Sequence, residues 1–121
     1  MRHVLIIDDD EKIRKIIKIQ LHNSEYSLFE AEDKTGAMTI IENEHIDVVL
    51  CDIKLKDTTG FIILTEIKEK YPGLPVIMVT GFIDKKTSER AKELGSFECV
   101  TKPVRREKLI ETITKAYEAK D

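Results

Sequence analysis

VLIIDDDEKIRKIIKIQLH, residues 4–22, changes its hydrophobic period within a few positions. Val4–Ile7 is an unbroken apolar run, short and rich in β-branching, which suggests a strand buried on both faces. From Glu11 to His22 the apolar residues Ile13, Ile16, Ile17 and Leu21 recur at helical spacing with Lys and Arg between them, so an amphipathic helix follows. A strand buried on both faces, followed at once by a helix, is the opening half of a crossover between parallel strands.

The same alternation continues outward from this stretch. Tyr26–Ala31 reads as a second strand, and Thr35–Glu44 as a helix through Ala37, Ile40 and Ile41. Val48–Cys51 is a third strand, and Phe61–Tyr71 a helix that stops before Pro72 and Gly73. Val76–Val79 is a fourth strand, followed by Asp84–Leu94, a polar and weakly amphipathic helix closed by Gly95. Phe97–Val100 is a fifth strand, and Arg106–Ala119 a last helix with Leu109, Ile110, Ile113 and Tyr117 on one side. Five β-α repeats predict an α/β fold with five helices covering both faces of a parallel sheet. Right-handed crossovers favour an open, doubly wound sheet of flavodoxin-like order 2-1-3-4-5. The repeats are too few for a closed eight-stranded barrel.

The 121 residues suit a single domain, 1–121, with no linker, low-complexity tract or effector domain in this chain. Hydrophobic residues make up 41% of it, enough for a real core. Twenty basic residues against 23 acidic ones give a formal charge of -3, without the basic excess expected of direct nucleic-acid binding. The longest apolar runs are strand-sized, so no membrane span is expected. The N-terminus lacks a signal-peptide layout, which points to the cytoplasm. Cys51 and Cys99 fit no CxxC spacing and read as small buried residues in a reducing compartment. His3, His22 and His45 show no metal-ligand spacing.

In an open parallel sheet, sites form beyond the carboxyl ends of the strands, at the switch point flanked by the first and third. Asp8, Asp9 and Asp10 follow the first strand, Asp52 the third, Thr80 the fourth, and Lys102, joined to Pro103, the fifth. Each alone has an ordinary explanation. Asp10 and Glu11 suit the cap of a helix, Asp52 a polar strand end, Thr80 a turn, Lys102 a solvated charge. Asp8 lies too early to cap, and the joint arrival of carboxylates, a hydroxyl and an ammonium at one rim is the stronger signal. Crowded carboxylates need protons or a cation. Hard oxygen ligands at a water-accessible edge suit Mg²⁺, which takes one or two carboxylates and fills its octahedron with water and phosphate oxygens. Asp52 can then act as a carboxylate nucleophile toward a phosphoryl group whose other oxygens meet Mg²⁺, Lys102 and Thr80.

At these residues the sequence resembles the receiver domain of bacterial two-component response regulators. The motifs are VLIIDDDEKIR (4–14), VVLCDIKLKDTTG (48–60), VIMVTG (76–81) and GSFECVTKPV (95–104), and together they span the chain. The resemblance implies that Asp52 is the phosphoacceptor, served by a phosphohistidine on a sensor histidine kinase or phosphotransfer protein. Asp8 and Asp9 would form the acidic pair for Mg²⁺, with Asp9 the more direct ligand and the backbone carbonyl of Lys54 completing the protein donors. Thr80 and Lys102 would bind phosphoryl oxygens, and the Lys102–Pro103 peptide would be cis. Output to a downstream effector domain or protein would use the surface of the fourth helix, fifth strand and fifth helix, with a phosphorylation-dependent homodimer as a further form. The weakly amphipathic fourth helix is the candidate mobile element.

The sequence departs from the family pattern in three places. Cys99 stands where an aromatic residue commonly precedes the lysine by three and swings inward on activation; Phe97 and Phe82 are the nearby substitutes. Lys56 replaces a frequent proline, which predicts a less rigid loop. Lys54 and Phe82 sit where side chains tune acyl-phosphate hydrolysis, and a bulky Phe82 predicts slow self-dephosphorylation. A haloacid-dehalogenase-like phosphatase would carry a second Asp two residues beyond its nucleophile, where this chain has Lys54. A flavin carrier would need a Ser/Thr/Gly-rich loop after the first strand, which is absent. A receiver that never accepts phosphate would have lost an acidic-pair member, Asp52 or Lys102, and all are retained. The expected chemistry is therefore self-directed, phosphoryl uptake and loss at Asp52, rather than turnover of a separate substrate.

Overall fold

A computed structural model describes residues 1–23, 25–81 and 83–120. Strands β1 (Arg2–Ile7), β2 (Tyr26–Ala31), β3 (Val48–Asp52), β4 (Val76–Thr80) and β5 (Glu98–Thr101) alternate with helices α1 (Glu11–Gln20), α2 (Lys34–Asn43), α3 (Gly60–Lys70), α4 (Lys85–Glu93) and α5 (Arg106–Ala119). All strand pairs are parallel, in the order β2-β1-β3-β4-β5. This is the doubly wound order expected from the alternation of apolar runs and amphipathic segments.

Successive strand residues point to opposite faces, and both faces are buried. Leu5, Ile7, Val49, Cys51, Val76 and Met78 pack beneath Ala37, Met38 and Ile41 of α2, Ile63, Leu64 and Ile67 of α3, and Ala91 of α4. Val4, Ile6, Val48, Leu50, Ile77 and Val79 pack beneath Ile17 of α1, the adjacent Leu21, and Leu109, Ile113 and Ala116 of α5. Each large aliphatic side chain so buried contributes about 1.5–3 kcal/mol. The core therefore fixes the three central strands and the carboxylates at their ends. Among the described residues, no helix is long and apolar enough to cross a membrane.

The element boundaries differ from the sequence pattern where side chains cap. Asp10 caps α1, its side chain accepting from the Lys12 N–H at 2.9 Å. Asp33 accepts from the Gly36 N–H at 2.8 Å, so α2 starts one residue earlier than its apolar spacing suggests. Asp84 caps α4, accepting from the Thr87 N–H at 2.7 Å, and so lies outside the helix that was expected to include it. Gly95 follows with φ of 99°, the left-handed conformation that glycine adopts without a steric penalty. β5 begins at Glu98 rather than Phe97, and Phe97 is 38% exposed. Cys51 is buried as expected, whereas Cys99 is only half-buried because β5 is an edge strand; both thiols are free.

At the amino edge of the sheet, Asp47 is 2% exposed. Its carboxylate accepts from the His3 N–H at 2.9 Å, meets His45 Nε2 at 2.9 Å and pairs with the Lys120 ammonium beyond α5. Burial alone would raise its pKa, but the His3 N–H, Lys120 and His45 outweigh that and hold it below the ordinary carboxylate range. A depressed carboxyl contributes stability that is present above its unfolded pKa of about 3.9 and is lost as pH falls through the lower folded value. Asp47→Asn should lower stability at pH 7 by about 2 kcal/mol. In urea melts the gap from wild type should shrink below pH about 4; a gap independent of pH would contradict this assignment.

Candidate functional site

β1 and β3 are neighbours, with Ile7 opposite Cys51, so Asp8 and Asp52 emerge side by side at the carboxyl rim. Asp52 and Thr80 are the last residues of their strands rather than the first residues after them, and both are 7% exposed. Strand geometry, rather than a loop, therefore aims Asp52. The carboxylate oxygens of Asp8, Asp9 and Asp52 lie within 4.8 Å of one another, the only cluster of potential metal ligands among the described residues.

Lys102 reaches back to this cluster from the loop after β5. Its Nζ lies 2.9 Å from Asp8 Oδ2 and 3.1 Å from Asp52 Oδ2. Its own N–H donates to the Thr80 carbonyl at 2.7 Å, which ties the loop to the end of β4. The Lys102–Pro103 peptide is cis. Asp8, 2% exposed, has all its polar atoms engaged. Its N–H donates to the Ala31 carbonyl at 3.1 Å, its carbonyl accepts from Arg14 at 2.6 Å, and Oδ1 accepts from the Asp10 N–H at 2.9 Å. Asp9 is less enclosed, and its Oδ2 accepts from the Lys56 N–H at 2.7 Å.

The electrostatics match a site short of positive charge. Burial first, and then the neighbouring Asp8 charge, push the Asp52 carboxyl above its ordinary pKa; Lys102 and the Lys54 N–H oppose the shift without cancelling it. Burial would lower the Lys102 ammonium, but its hydrogen bond to Asp8 and the charge of Asp52 outweigh that and hold it raised. Among the described residues, Lys102 is the only side-chain cation ion-paired with any of the three carboxylates, meeting Asp8 and Asp52. Hard oxygen donors with surplus negative charge are what a divalent cation such as Mg²⁺ requires, so the donor set fits one.

Lys54 lies in the loop between β3 and α3; its N–H reaches Asp52 Oδ1 at 3.4 Å, and it pairs with Thr59 across the loop. Lys56 was expected to loosen this loop, yet its N–H makes the tie to Asp9 that a proline could not make. Cys99 lies beside Met78 in register and packs partly against the core beneath α3 and α4. Phe97 sits at the end of β5 away from Lys102, a poor location for replacing an inward-swinging aromatic. Phe82, on which slow dephosphorylation rests, lies outside the described residues. α4 buries only Ala91 in its span, in line with its weak apolar stripe.

Two residues missing from the sequence-derived site emerge here. Gly60, the first residue of α3, runs so close to β3 that an added Cβ would stand 2.1 Å from the Asp52 carbonyl oxygen. Arg14 joins the Asp8 carbonyl to Glu30 on β2. The glycine was visible in the motif but its neighbour was not, and the Arg14 contacts depend on strand order.

A five-stranded parallel sheet of order β2-β1-β3-β4-β5, with an acid-rich rim and one inward-reaching lysine, is a doubly wound α/β domain. The profile of the family described as Response regulator receiver domain matches residues 4–114, and the chain belongs to that family. It is 30% identical over 116 residues to the transcriptional regulatory protein GlrR of Escherichia coli strain K12, covering 96% of this chain and 26% of GlrR. It is 33% identical over 117 residues to a putative NtrX-like response regulator of Rickettsia conorii, covering 95% of this chain and 25% of that protein. The chain thus spans about a quarter of the length of these curated relatives. The crystal structure of a CheY-like receiver domain from Methanospirillum hungatei superposes with a TM-score of 0.90 at 31% identity, covering 98% of this chain and 94% of that one. The protein is a response regulator receiver domain of a two-component system.

Proposed function

We propose that this single domain, residues 1–121, is a phosphorylation switch in which Asp52 accepts a phosphoryl group from a phosphohistidine of a sensor histidine kinase or phosphotransfer protein. The observation that carries this is the Asp52 carboxylate grouped with those of Asp8 and Asp9 and held 3.1 Å from the Lys102 ammonium. An Asp52 oxygen attacks phosphorus, the O–P bond forms, and the P–N bond breaks. The imidazole nitrogen leaves with the electron pair and takes a proton from solvent. Lys102 donates to one phosphoryl oxygen, and the Thr80 hydroxyl at the neighbouring strand end donates to another.

Asp9 and Asp52 would hold Mg²⁺ directly, with the Lys54 carbonyl, while Asp8, already engaged on both oxygens, orients the set. When bound, Mg²⁺ neutralises the carboxylates and takes charge from a phosphoryl oxygen. The ammonium of Lys102 must then turn from the carboxylates toward the new phosphate, which connects phosphorylation to the β5–α5 loop. That loop leads into the α4–β5–α5 surface, proposed here as the one read by an effector domain or a second copy of the chain. The domain would work in the cytoplasm, without direct nucleic-acid contact, and its only reactions would be its own phosphorylation and dephosphorylation.

Incubation with Mg²⁺ and phosphoramidate, followed by intact mass measurement, tests the assignment. Wild type should gain one phosphoryl group and Asp52→Asn none. Equal gain by both proteins, or no gain by wild type, would remove Asp52 from this role.

A further inference from the structure

We propose that Arg14, clamped by Glu30, is the positioning residue that holds the β1–α1 turn in its cation-binding geometry. This inference rests on Asp8, Asp9 and Asp52 forming a Mg²⁺ and phosphoacceptor site. Arg14 lies on α1, and its side chain is 13% exposed. One guanidinium nitrogen donates to the Asp8 carbonyl at 2.6 Å, and Nε donates to Glu30 Oε1 at 2.9 Å. Glu30 sits on β2 directly opposite Ile6 of β1, so the bridge joins α1, the end of β1 and the edge strand. Lys18, one helical turn beyond Arg14, holds the other Glu30 oxygen at 2.7 Å.

The geometry matters because of what the Asp8 carbonyl anchors. Asp8 and Asp9 share the peptide whose oxygen Arg14 grips, so the rotation of that peptide sets where the Asp9 side chain leaves the backbone. The other Asp8 contacts fix its N–H and its side chain, which leaves Arg14 as the restraint on the carbonyl. Arginine suits the task because its planar fork can serve two acceptors at once, which a lysine ammonium on a flexible stem does in no fixed geometry. The hydrogen bond to Lys18 and the bonds and charges of Arg14 and Lys18 outweigh burial and hold the Glu30 carboxyl below its ordinary pKa, so the clamp stays charged at neutral pH. Arg14 touches neither the phosphoryl group nor the cation; it acts through the peptide that carries the ligands.

Charge and positioning predict opposite results. Removing a nearby cation should tighten Mg²⁺ binding by Coulomb's law alone. Removing a support of the ligand shell should weaken it, by about tenfold for an outer-shell contact. Mg²⁺ affinity can be measured by calorimetry, and the Mg²⁺ dependence of phosphoramidate-driven uptake by intact mass, for wild type, Arg14→Ala, Arg14→Lys, Glu30→Gln and the Arg14→Ala/Glu30→Gln double variant. Arg14→Ala should raise the half-saturating Mg²⁺ concentration about tenfold while the rate at saturating Mg²⁺ stays near wild type. Arg14→Lys should recover only part of the loss. Glu30→Gln should shift affinity in the same direction, and the double variant should resemble Arg14→Ala, because the two residues act as one unit.

Unchanged or tighter Mg²⁺ binding by Arg14→Ala would overturn the inference. So would additive effects of the two substitutions, or full recovery by lysine. A purely structural role would lower the thermal midpoint of Arg14→Ala without moving its Mg²⁺ half-saturation, and that outcome also counts against it. Failure of wild type to bind Mg²⁺ would overturn the underlying site assignment and this inference with it. If wild type binds Mg²⁺ but takes up no phosphoryl group, the phosphoacceptor role alone falls, and the affinity series still decides Arg14.

Discussion

Lys102→Ala should slow phosphoryl uptake at Asp52 by at least about a hundredfold, the scale on which a single preorganised donor to a developing oxyanion acts. The same substitution should destabilise the unphosphorylated protein. Lys102 Nζ stands between Asp8 Oδ2 and Asp52 Oδ2, and those two carboxylates are almost fully buried. Without the ammonium, each faces the other across a poorly hydrated gap. Breaking a fully buried pair costs about 3–5 kcal/mol, and the partial exposure of the Lys102 head group reduces this to about 2 kcal/mol. Two treatments should restore stability in denaturant melts. Mg²⁺ should do so by supplying the missing positive charge, and moderate acid by protonating Asp52, whose carboxyl is already raised by burial and by Asp8. The sign for Asp52 is opposite to that for Asp47, because a raised carboxyl disfavours the folded state above its folded pKa. Wild-type uptake by Lys102→Ala, or a loss of stability indifferent to both treatments, would contradict this view of the rim.

Gly60→Ala should cost about 3 kcal/mol or more, the upper end of what overpacking a filled core does. Its new Cβ would meet the Asp52 carbonyl oxygen at 2.1 Å, and Ile53 Cα and Met78 Cε at 2.9 Å. The Met78 methyl can turn aside, but the two backbone atoms belong to the last residue of β3 and to the residue that follows it. The Gly60 N–H also donates to the Ile53 carbonyl at 2.6 Å, so α3 is held against the strand that it would have to leave. Relief requires moving the start of α3 or the end of β3, and the second displaces Asp52. Gly81→Ala is the control, since a Cβ there meets nothing within 4 Å. Thermal melts of both variants should show a large drop for Gly60→Ala and little change for Gly81→Ala. Equal midpoints would mean that the close approach has been misassigned.

The sheet was legible because each central strand is unbroken apolar sequence and each helix keeps one apolar stripe. The order of strands followed from crossover handedness, and the candidate site from what stands at each strand end. Errors of one residue arose where burial and polarity do not decide the boundary. Phe97 was expected in β5 by its hydrophobicity, but an edge strand does not need every apolar residue buried, and it lies exposed beside the strand. Asp33 and Asp84 act as caps, and a cap is a backbone geometry that apolar spacing does not register. Arg14 and Glu30 are 16 residues apart, and Asp47 and Lys120 are 73 apart. Each of these residues alone resembles any solvated charge, and only the folded chain shows which one it meets. The consequence of Lys56 was hidden for a different reason: its contact with Asp9 is made by the main chain, so side-chain identity says only that an N–H is present.

The hydrogen bond from the Lys56 N–H to Asp9 Oδ2 has a practical meaning for any spectroscopist. A cation settling on Asp9 would draw electron density from the acceptor of that bond, and the amide resonance of residue 56 would move with it. On the proposed cation site, the backbone would therefore carry a gauge of ion occupancy, readable without a dye, a tryptophan or an engineered label.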